Sequence, residues 1–450
     1  MNQTFQPRRI LIFEAYTNAN IGSGAVVENT VNLLKEKYPL AEIKIMAHCW
    51  RAFRYDNIES VPDVFEYPFL KTRLTQVVWL LKTFFWLFLA YLQALLLKSK
   101  PFLFFKEKVR YFQWADLVVS VGAERLNDKF VKGLVFSALS LVLLKSLGKK
   151  VVFFPSTIGP FFYPPTRGLS SHALRRLDLV FTRDRESTRI CLEELALEPS
   201  RVVQTADVAV LQAQEPLGTS LDLIRNFRKG RTLSDDSAIV GLNALKWTYR
   251  ANKKETSYSN YPSYLREMAA LADGLVERYG VIIGFYPTNF PVNECREDDV
   301  SVCREIQERM THAGSTFLVD RLVTPAQLKG MLACSRLNIV TRMHACILST
   351  GAGIPTLSVN YLFKLREYME SLGLEKFSID IEDFNARSVA DAFGRMWEER
   401  DFWNSHIRKA MAYKREVLKG AMERMDDYLN SGNKFQDSHP DGHNLSVAAA

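Results

Sequence analysis

Four side chains in the stretch Leu337–Lys364 are of the types that bind a small anion and handle its protons. Arg342 and His344 follow one apolar run, and Tyr361 and Lys364 follow the next. A guanidinium binds phosphate or carboxylate through two hydrogen bonds, and a lysine ammonium adds a further positive charge. An imidazole titrates near neutral pH and acts as an acid or a base. The stretch therefore predicts an anion site with a titratable group beside it.

The surrounding pattern predicts elements that bring these side chains to one edge of a sheet. Residues 337–340 are typical of a buried strand, residues 345–350 of a helix of small residues, and residues 356–359 of a second strand. In an open α/β sheet, ligands bind outside the carboxyl ends of the strands, where Arg342 would lie. The N–H groups at the start of the helix would favour an anion at the same place.

Arg342 and His344 also have a plainer interpretation. An arginine after a strand is often a solvated charge or one partner of an ion pair. A histidine beside apolar residues often has a structural role. The convergence of four such side chains on one predicted edge favours a functional site.

Predicted strands and helices alternate through the whole chain. The alternation predicts an α/β fold of two doubly wound, Rossmann-like domains facing a cleft, with a hydrophobic helical insertion in the first. The predicted strands of the first domain, residues 1–213, are 9–16, 42–47, 116–121, 150–155, 179–182 and 202–204. Those of the second domain, residues 238–385, are 238–242, 281–286, 316–319, 337–340 and 356–359.

Three further segments complete the predicted organisation. Residues 214–237 are polar, charged and glycine-bearing, which indicates a linker. Residues 386–430 are predicted to form C-terminal helices that pack across both domains. Residues 431–450 are predicted to be a disordered tail.

The segment 76–97 is strongly hydrophobic, with Lys82 as its one charge. A helix rises about 1.5 Å per residue, so this segment would be long enough to cross a bilayer. A membrane-spanning helix would, however, put the first two strands on the opposite side of the membrane from the rest of their sheet. A buried core or dimer helix is a second interpretation. We favour a helix in the membrane interface, where the segment 76–110 would meet anionic lipid through flanking basic residues.

Composition narrows the class of partner. The net charge of +8 and the pI of about 9.0 suit phosphates, acidic sugars or a membrane surface. No basic–aromatic motif points to nucleic acid. Six scattered cysteines without a Cys-x-x-Cys pair argue against a disulfide framework or a zinc site. The start MNQTFQPRR lacks an apolar signal core, so we expect a cytoplasmic protein, peripheral on the inner face of the cytoplasmic membrane.

Short motifs along most of the chain resemble those of the polysaccharide pyruvyl transferase family. The C-terminal signature is matched by Arg342-Met343-His344-Ala345, Gly353-Ile354-Pro355, Tyr361 and Lys364. The other matches, in chain order, are residues 20–25 (NIGSGA), Val121-Gly122-Ala123 with Asp128, Ile158-Gly159-Pro160-Phe161, Arg183-Asp184 with Ser187, and Ala206-Asp207. Their order and spacing make the resemblance specific.

The resemblance implies a GT-B-like fold and the transfer of a pyruvyl group from phosphoenolpyruvate to a sugar of an exopolysaccharide or cell-surface glycan, with release of phosphate. This donor carries a carboxylate and a phosphate, so it needs several polar and cationic partners. The predicted donor-binding residues are Arg342, Lys364, Arg183 and Tyr361. No metal or cofactor is expected, because the reaction needs none and no ligand cluster is visible in the sequence.

Proton transfer is the second requirement of this reaction. The enol carbon must gain a proton, and the sugar hydroxyl must lose one. His344 is the predicted catalyst of one step, and Asp184 or Asp207 of the other. As alternatives, Asp184 caps the next helix, Asp207 forms a salt bridge, and Arg183 forms a local ion pair with Asp184 or Glu186.

The first domain is predicted to bind the acceptor, a lipid-linked or growing glycan, through Asn20, Gly22, Ser23 and Asp128. Two other functions remain open. The first is a GT-B-type nucleotide-sugar glycosyltransferase that holds a diphosphate on its cations. The second is a non-catalytic, membrane-associated protein of polysaccharide assembly.

Overall fold

The computed structural model describes residues 5–51, 53, 55, 57–64, 74–75, 77–78, 81–83, 85–86, 88–89, 92, 106–122, 124–228, 237–247, 260–291 and 297–431. These residues form two compact units. The first unit takes residues up to 18, residues 26–207 and residues from 417 onward. The second unit takes residues 19–25 and 208–416.

The first unit is built on a seven-stranded sheet. Its strands are β1 (Arg9–Ala15), β2 (Glu42–Ala47), β3 (Glu59–Pro62), β4 (Leu117–Ser120), β5 (Lys150–Ser156), β6 (Leu179–Thr182) and β7 (Val202–Gln204). They pair in parallel in the order β3-β2-β1-β4-β5-β6-β7. Ile10 lies opposite Ile43 on one side and Leu117 on the other. The topological switch point of this sheet is therefore between β1 and β4.

The central strands consist mostly of apolar residues because helices cover both faces of a parallel sheet. Phe13, Val118 and Phe153 are buried in one core cluster together with Phe112 and Leu141 from two helices. The helices of the first unit are Ile21–Lys37, whose first residues belong to the second unit, Lys106–Trp114, Val131–Ser146, Pro164–Leu174 and Arg185–Arg189.

The second unit is built on a six-stranded sheet. Its strands are β8 (Ile239–Asn243), β9 (Ile282–Phe285), β10 (Thr316–Leu318), β11 (Leu337–Val340), β12 (Thr356–Asn360) and β13 (Ser378–Asp380). They pair in parallel in the order β10-β9-β8-β11-β12-β13, so the switch point is between β8 and β11. The helices are Leu217–Phe227, Tyr261–Tyr279, Asp299–Gln307, Pro325–Ala333, Met343–Gly351, Phe363–Glu370, Ala386–Glu398 and Arg400–Ser431. Residues of the last helix from 417 onward belong to the first unit.

The predicted α/β class is confirmed, and the strands lie where apolar runs predicted them. The sequence did not predict β3, β13 or the helix Pro164–Leu174. The predicted linker contains the helix Leu217–Phe227, which buries Ser220 and Ile224. Residues 229–236 of that linker and the predicted tail from 432 lie outside the described residues.

The hydrophobic segment 76–97 is only partly described. Its described members are helical, and several expose large apolar side chains, among them Leu81, Phe85 and Phe88 at 65%, 57% and 59%. Within the described parts of the chain, no helix combines the length and apolar composition needed to cross a bilayer.

Candidate active site

Arg342 lies at the switch point of the second sheet. Its backbone N–H donates to Oδ1 of Asn243, the last residue of β8, at 2.9 Å. The backbone N–H of Thr341 donates to the carbonyl of Asn243 at 3.2 Å. These bonds hold Arg342 at the carboxyl edge of β11, the edge at which open α/β sheets bind ligands.

The Arg342 guanidinium forms a bidentate ion pair with Asp299. Nη2 and Nε lie 2.6 and 3.2 Å from Oδ1 and Oδ2. Asp299 is 1% exposed, and its Oδ2 also accepts from the Thr288 hydroxyl and the Asn289 backbone N–H. Burial alone would lower the pKa of Arg342, but the Asp299 carboxylate raises it well above its ordinary value. Arg342 is therefore charged, and the ion-pair interpretation accounts for one edge of its guanidinium.

The other edge of the guanidinium has a different environment. Glu297 is 3.4 Å from Nη2 of Arg342. Nη1 donates no hydrogen bond to any described residue. A guanidinium held along one edge by a buried carboxylate keeps a fixed orientation, and its second edge is able to bind an anionic ligand.

Helix Met343–Gly351 begins directly after Arg342 without a side-chain cap. Three other helices of the unit are capped, by Asp298, Thr324 and Asn385. An uncapped helix start presents backbone N–H groups and a partial positive charge, which together favour an anion.

His344 lies in the first turn of this helix, against the backbone of Gly22. A Cβ placed on Gly22 would be 2.1 Å from Nδ1 and 2.3 Å from Cγ of the imidazole. Real side chains do not approach this closely, so the ring occupies its place only because residue 22 is glycine.

The loop after β1 belongs to the second unit through its backbone contacts. Asn20 forms an antiparallel bridge with Asn289, and the N–H of Ile21 donates to the carbonyl of Thr288 at 2.8 Å. Residues 19–25 are consequently grouped with the second sheet. This grouping brings predicted acceptor residues to the predicted catalytic histidine.

Asn20 and Ser23 shape the start of helix Ile21–Lys37. The backbone N–H of Ser23 donates to Oδ1 of Asn20 at 2.9 Å, as in an N-cap. The Ser23 side chain is half-buried and makes no hydrogen bond to a described residue. Asn20 therefore has a structural role, and acceptor binding by Asn20 and Ser23 stays a prediction.

Tyr361 and Lys364 follow β12, the neighbour of β11. Tyr361 is close enough to Arg342 to act on its charge. Lys364 is buried in the first turn of helix Phe363–Glu370. The structure thus places the four residues of the predicted anion site at one edge of one sheet.

Arg183 and Asp207 form a buried ion pair in the first unit. Nη1 and Oδ2 are 2.6 Å apart, and the side chains are 1% and 2% exposed. Arg183 Nε also donates to the Thr157 hydroxyl at 2.9 Å. These contacts match the salt-bridge alternative for Asp207, and they pair Arg183 with Asp207 instead of Asp184 or Glu186. Their roles in donor binding and catalysis stay predictions.

Asp184 caps the helix Arg185–Arg189. Its Oδ1 accepts from the Ser187 backbone N–H at 2.7 Å, and its Oδ2 accepts from the Thr157 hydroxyl at 2.7 Å. The capping alternative therefore describes these contacts, and a catalytic role for Asp184 stays a prediction.

Asp128 anchors the loop around the cis peptide bond Gly159-Pro160. Its Oδ2 accepts from the backbone N–H groups of Phe162 and Tyr163 at 2.5 and 2.7 Å. Both bonds are structural, and acceptor binding by Asp128 stays a prediction.

Asp299 and Asn243 were not predicted as site residues. Asp299 follows Asp298 at a helix start, where the sequence signals only a cap. Asn243 ends a strand, and only the strand order shows that it faces Arg342. Among the described residues, no group of three or more His, Cys, Asp or Glu side chains is arranged to hold a metal ion.

The fold resembles those of a solved epimerase and a solved glycosyltransferase. A UDP-GlcNAc 2-epimerase from Neisseria meningitidis, solved with UDP-GlcNAc, is 11% identical with a TM-score of 0.53, covering 92% of this chain and 100% of that one. A glycosyltransferase from Rickettsia africae is 10% identical with a TM-score of 0.55, covering 95% and 100%. At this identity the likeness shows the fold alone, and it confirms the predicted GT-B-like class.

Sequence comparison identifies the family. The amylovoran biosynthesis protein AmsJ of Erwinia amylovora is 22% identical over 287 residues, covering 63% of this chain and 65% of that protein. The chain thus spans just under two thirds of this relative's length. The family model of polysaccharide pyruvyl transferases matches residues 20–362. With Arg342, His344, Tyr361 and Lys364 gathered at one sheet edge, the chain belongs to the polysaccharide pyruvyl transferase family, a family of transferases.

Proposed function

We propose that the protein transfers a pyruvyl group from phosphoenolpyruvate to a sugar hydroxyl of an exopolysaccharide or cell-surface glycan and releases phosphate. The observation that carries the proposal is the placement of Arg342 and His344 around the uncapped start of helix Met343–Gly351. Membership of the family supports it. The likeness to AmsJ, an amylovoran biosynthesis protein, supports a glycan as the acceptor.

The donor carries a carboxylate and a phosphate on neighbouring atoms. Arg342 offers Nη1 to one of these groups while Asp299 holds its other edge. The helix start offers backbone N–H groups, and Lys364 adds a positive charge at the same edge. This set of groups suits a small dianion.

The reaction is an addition to the donor's double bond followed by loss of phosphate. The sugar oxygen forms a bond to C2 and loses its proton, while C3 gains a proton and becomes a methyl group. The C2–O bond to phosphate then breaks, and phosphate leaves with the electron pair. The cation left at C2 is quenched in one of two ways: a second hydroxyl of the sugar bonds to C2 and loses its proton, which closes a ketal, or C3 loses a proton, which leaves an enol ether. We assign the proton delivered to C3 to His344, because an imidazole exchanges protons near neutral pH.

Calorimetry with phosphoenolpyruvate tests the donor site. Arg342→Lys keeps a charge beside Asp299 but loses the planar fork, so we expect its Kd for phosphoenolpyruvate to rise by about tenfold or more. Arg336→Lys, at the exposed amino end of β11, is the control and should leave the Kd unchanged. Equal affinity in the Arg342 variant would remove this residue from the site. Binding of UDP without binding of phosphoenolpyruvate would favour the glycosyltransferase alternative.

Phosphate release tests the chemistry. Native protein supplied with phosphoenolpyruvate should release phosphate with at least one member of a panel of lipid-linked oligosaccharides. His344→Ala should lower that rate by about 10²–10⁴-fold, as loss of general acid–base catalysis does. Normal glycan pyruvylation in cells that carry only His344→Ala would instead favour the non-catalytic assembly protein.

We also infer that the protein docks on anionic lipid at the inner face of the cytoplasmic membrane. The helical residues Leu74, Val78, Leu81, Phe85, Phe88 and Leu92 recur every three or four positions, and all are exposed. Such a spacing puts large apolar side chains on one helix face, and the net charge of +8 suits anionic headgroups. Docking would bring the enzyme to a lipid-linked acceptor.

A further inference from the structure

The switch point of the first sheet carries a carboxyl group in an unusual backbone position. Glu14 lies near the end of β1, where the register with β2 shifts between Ile12 and Ala15. Its φ is 68°, in the left-handed region that side-chain-bearing residues rarely adopt. Bulges of this kind re-aim a side chain, and strained backbone clusters at functional sites.

The Glu14 carboxyl is buried, and only one of its two oxygens has a hydrogen-bond partner among the described residues. Oε2 accepts from the hydroxyl of Ser120, the last residue of β4, at 2.5 Å. Oε1 is buried and has no hydrogen-bond partner among the described residues. A Cβ on Gly122 would be 2.7 Å from Oε2, so glycine at 122 makes room for this carboxyl. An unpaired buried oxygen is costly, which indicates that a partner from outside the protein completes it.

The groups around Glu14 favour its protonated form. Burial raises the pKa of Glu14, whereas the nearby charge of Arg125, the Ser120 hydrogen bond and the neighbouring Ser137 hydroxyl lower it, and Asp63 raises it again. The sum is a pKa above the ordinary value. Arg125 is itself 3.6 Å from Asp63, which diverts part of its charge. With Ser120 donating to Oε2, a protonated carboxyl carries its hydrogen on Oε1.

The loop after β2, the strand beside β1, supplies aromatic surface at the same edge. A cavity of about 460 Å³ is lined by Trp50, Arg51, Phe53, Tyr55, Ile58 and Ser60. The rings of Tyr16 and His48 stack at 6.0 Å and link the loops that follow β1 and β2. Aromatic faces recognise the apolar C–H face of a sugar ring, and a hydrogen-bonding carboxyl at the same sheet edge recognises the hydroxyls on its rim.

We propose that Glu14 binds the glycan acceptor, with Oε1 donating a hydrogen bond to a sugar hydroxyl at the switch point of the first sheet. The inference rests on the proposed transfer to a glycan and names a residue for acceptor recognition. It requires no contact with the donor residues, so the two claims fail separately.

Glu14→Gly tests the site without straining the backbone, because glycine adopts a φ of 68° freely. The probes are glucose, galactose, mannose and N-acetylglucosamine, followed by saturation-transfer NMR. We expect the native protein to bind at least one sugar and Glu14→Gly to bind it about tenfold more weakly. The Kd for phosphoenolpyruvate should not change, which shows that the variant is folded. Glu42→Gln, an exposed carboxyl on β2, is the control.

The pH dependence separates recognition from a structural role. Native sugar binding should weaken as pH rises through the raised pKa of Glu14, since the carboxylate has no hydrogen to donate. Glu14→Gln keeps an N–H donor at that place and should bind equally at every pH. Sugar binding that survives in Glu14→Gly, or that is absent from the native protein, overturns the proposal. Loss of sugar binding in Glu14→Gly supports acceptor recognition by Glu14, whether or not phosphoenolpyruvate binds. If phosphoenolpyruvate does not bind the native protein, only the proposed donor is overturned.

Discussion

Among single residues, Gly22 is as important as His344 for the position of the imidazole, because its side chain is only a hydrogen atom. The ring lies where a methyl group on residue 22 would be. A glycine in the first turn of helix Ile21–Lys37 therefore sets the position of a catalytic candidate that is more than three hundred positions away in the chain. Each residue alone is a weak sequence signal, but in the structure the position of the His344 ring requires glycine at position 22.

Gly22→Ala should displace His344 and slow turnover. We expect phosphate release from phosphoenolpyruvate to fall by about 10²-fold, the size of the loss that a displacement of roughly 1 Å causes. Overpacking should also cost about 1–3 kcal/mol in the free energy of unfolding. The measurements are steady-state phosphate release and urea unfolding.

Gly274→Ala is the matched control for that variant. Gly274 lies inside helix Tyr261–Tyr279, and a Cβ there meets nothing within 4 Å. The alanine should stabilise the helix by about 0.5–1 kcal/mol and leave turnover unchanged. A Gly22→Ala enzyme as active as the Gly274→Ala enzyme would mean that the ring position is irrelevant to the reaction.

Residue types and their place on the sheet edge could be predicted, but their partners could not. Arg342 after an apolar run predicted a cation at the carboxyl end of a strand, and the structure has it there. Its ion pair with Asp299 joins positions 43 apart, and no local pattern specifies such a pair. Partial burial decided the outcome, because a guanidinium that is largely removed from water needs a carboxylate.

At the scale of elements, the ends of β6 and β7 are joined by the buried pair of Arg183 and Asp207. Arg183 directly follows β6 and Asp207 lies three residues after β7, so the pair ties together the carboxyl ends of two neighbouring strands. Removing one member leaves the other charge buried and unpaired, whereas replacing both with apolar side chains does not.

Asp207→Ala should lower the free energy of unfolding of the first unit by about 3–5 kcal/mol. The double variant Arg183→Met/Asp207→Leu should recover most of this loss, since neither charge is left. Urea unfolding followed by circular dichroism measures both effects. The exposed ion pair of Arg225 and Asp222 provides the control. Asp222→Ala should change the free energy of unfolding by less than about 1 kcal/mol.

The double variant also tests the predicted catalytic role. If the pair is purely structural, the stable double variant should release phosphate at the native rate. A well-folded but inactive double variant would show that Asp207 or Arg183 takes part in the reaction.

At the scale of the whole molecule, apolar surface and positive charge act together. The exposed stripe that includes Leu81, Phe85 and Phe88 is an unusual feature for a protein surface. The excess of basic residues would draw the molecule to an anionic bilayer, and the apolar side chains would then insert.

The triple variant Leu81→Ser/Phe85→Ser/Phe88→Ser should no longer float with phosphatidylglycerol vesicles. Each buried apolar side chain contributes about 1.5–3 kcal/mol, so the three together account for several orders of magnitude in partitioning. Leu40→Ser/Phe402→Ser removes exposed apolar groups elsewhere and should leave flotation intact. Native protein that stays at the bottom of the gradient at low salt would contradict membrane docking.

The predictable part of the fold is the part that depends on short-range pattern. Apolar runs between turns located the strands, since a strand in a parallel sheet is buried on both faces. The polar, charged sequence that includes residues 217–227 predicted a linker, whereas the structure has a helix there, of which only Ser220 and Ile224 are buried. The four residues of β3, ESVP, carry no strand periodicity and pair only because β2 is beside them.

The position of residues 19–25 determines how the chain can be divided into fragments. They pair with Asn289 and Thr288, although most of their own helix belongs to the first unit. A fragment that begins at residue 208 would leave the Thr288 carbonyl and the Phe290 N–H without the partners they have here. The fragment from residue 208 is therefore not a complete second unit, and it would need a peptide spanning 19–25 added back to restore the contact between Gly22 and His344.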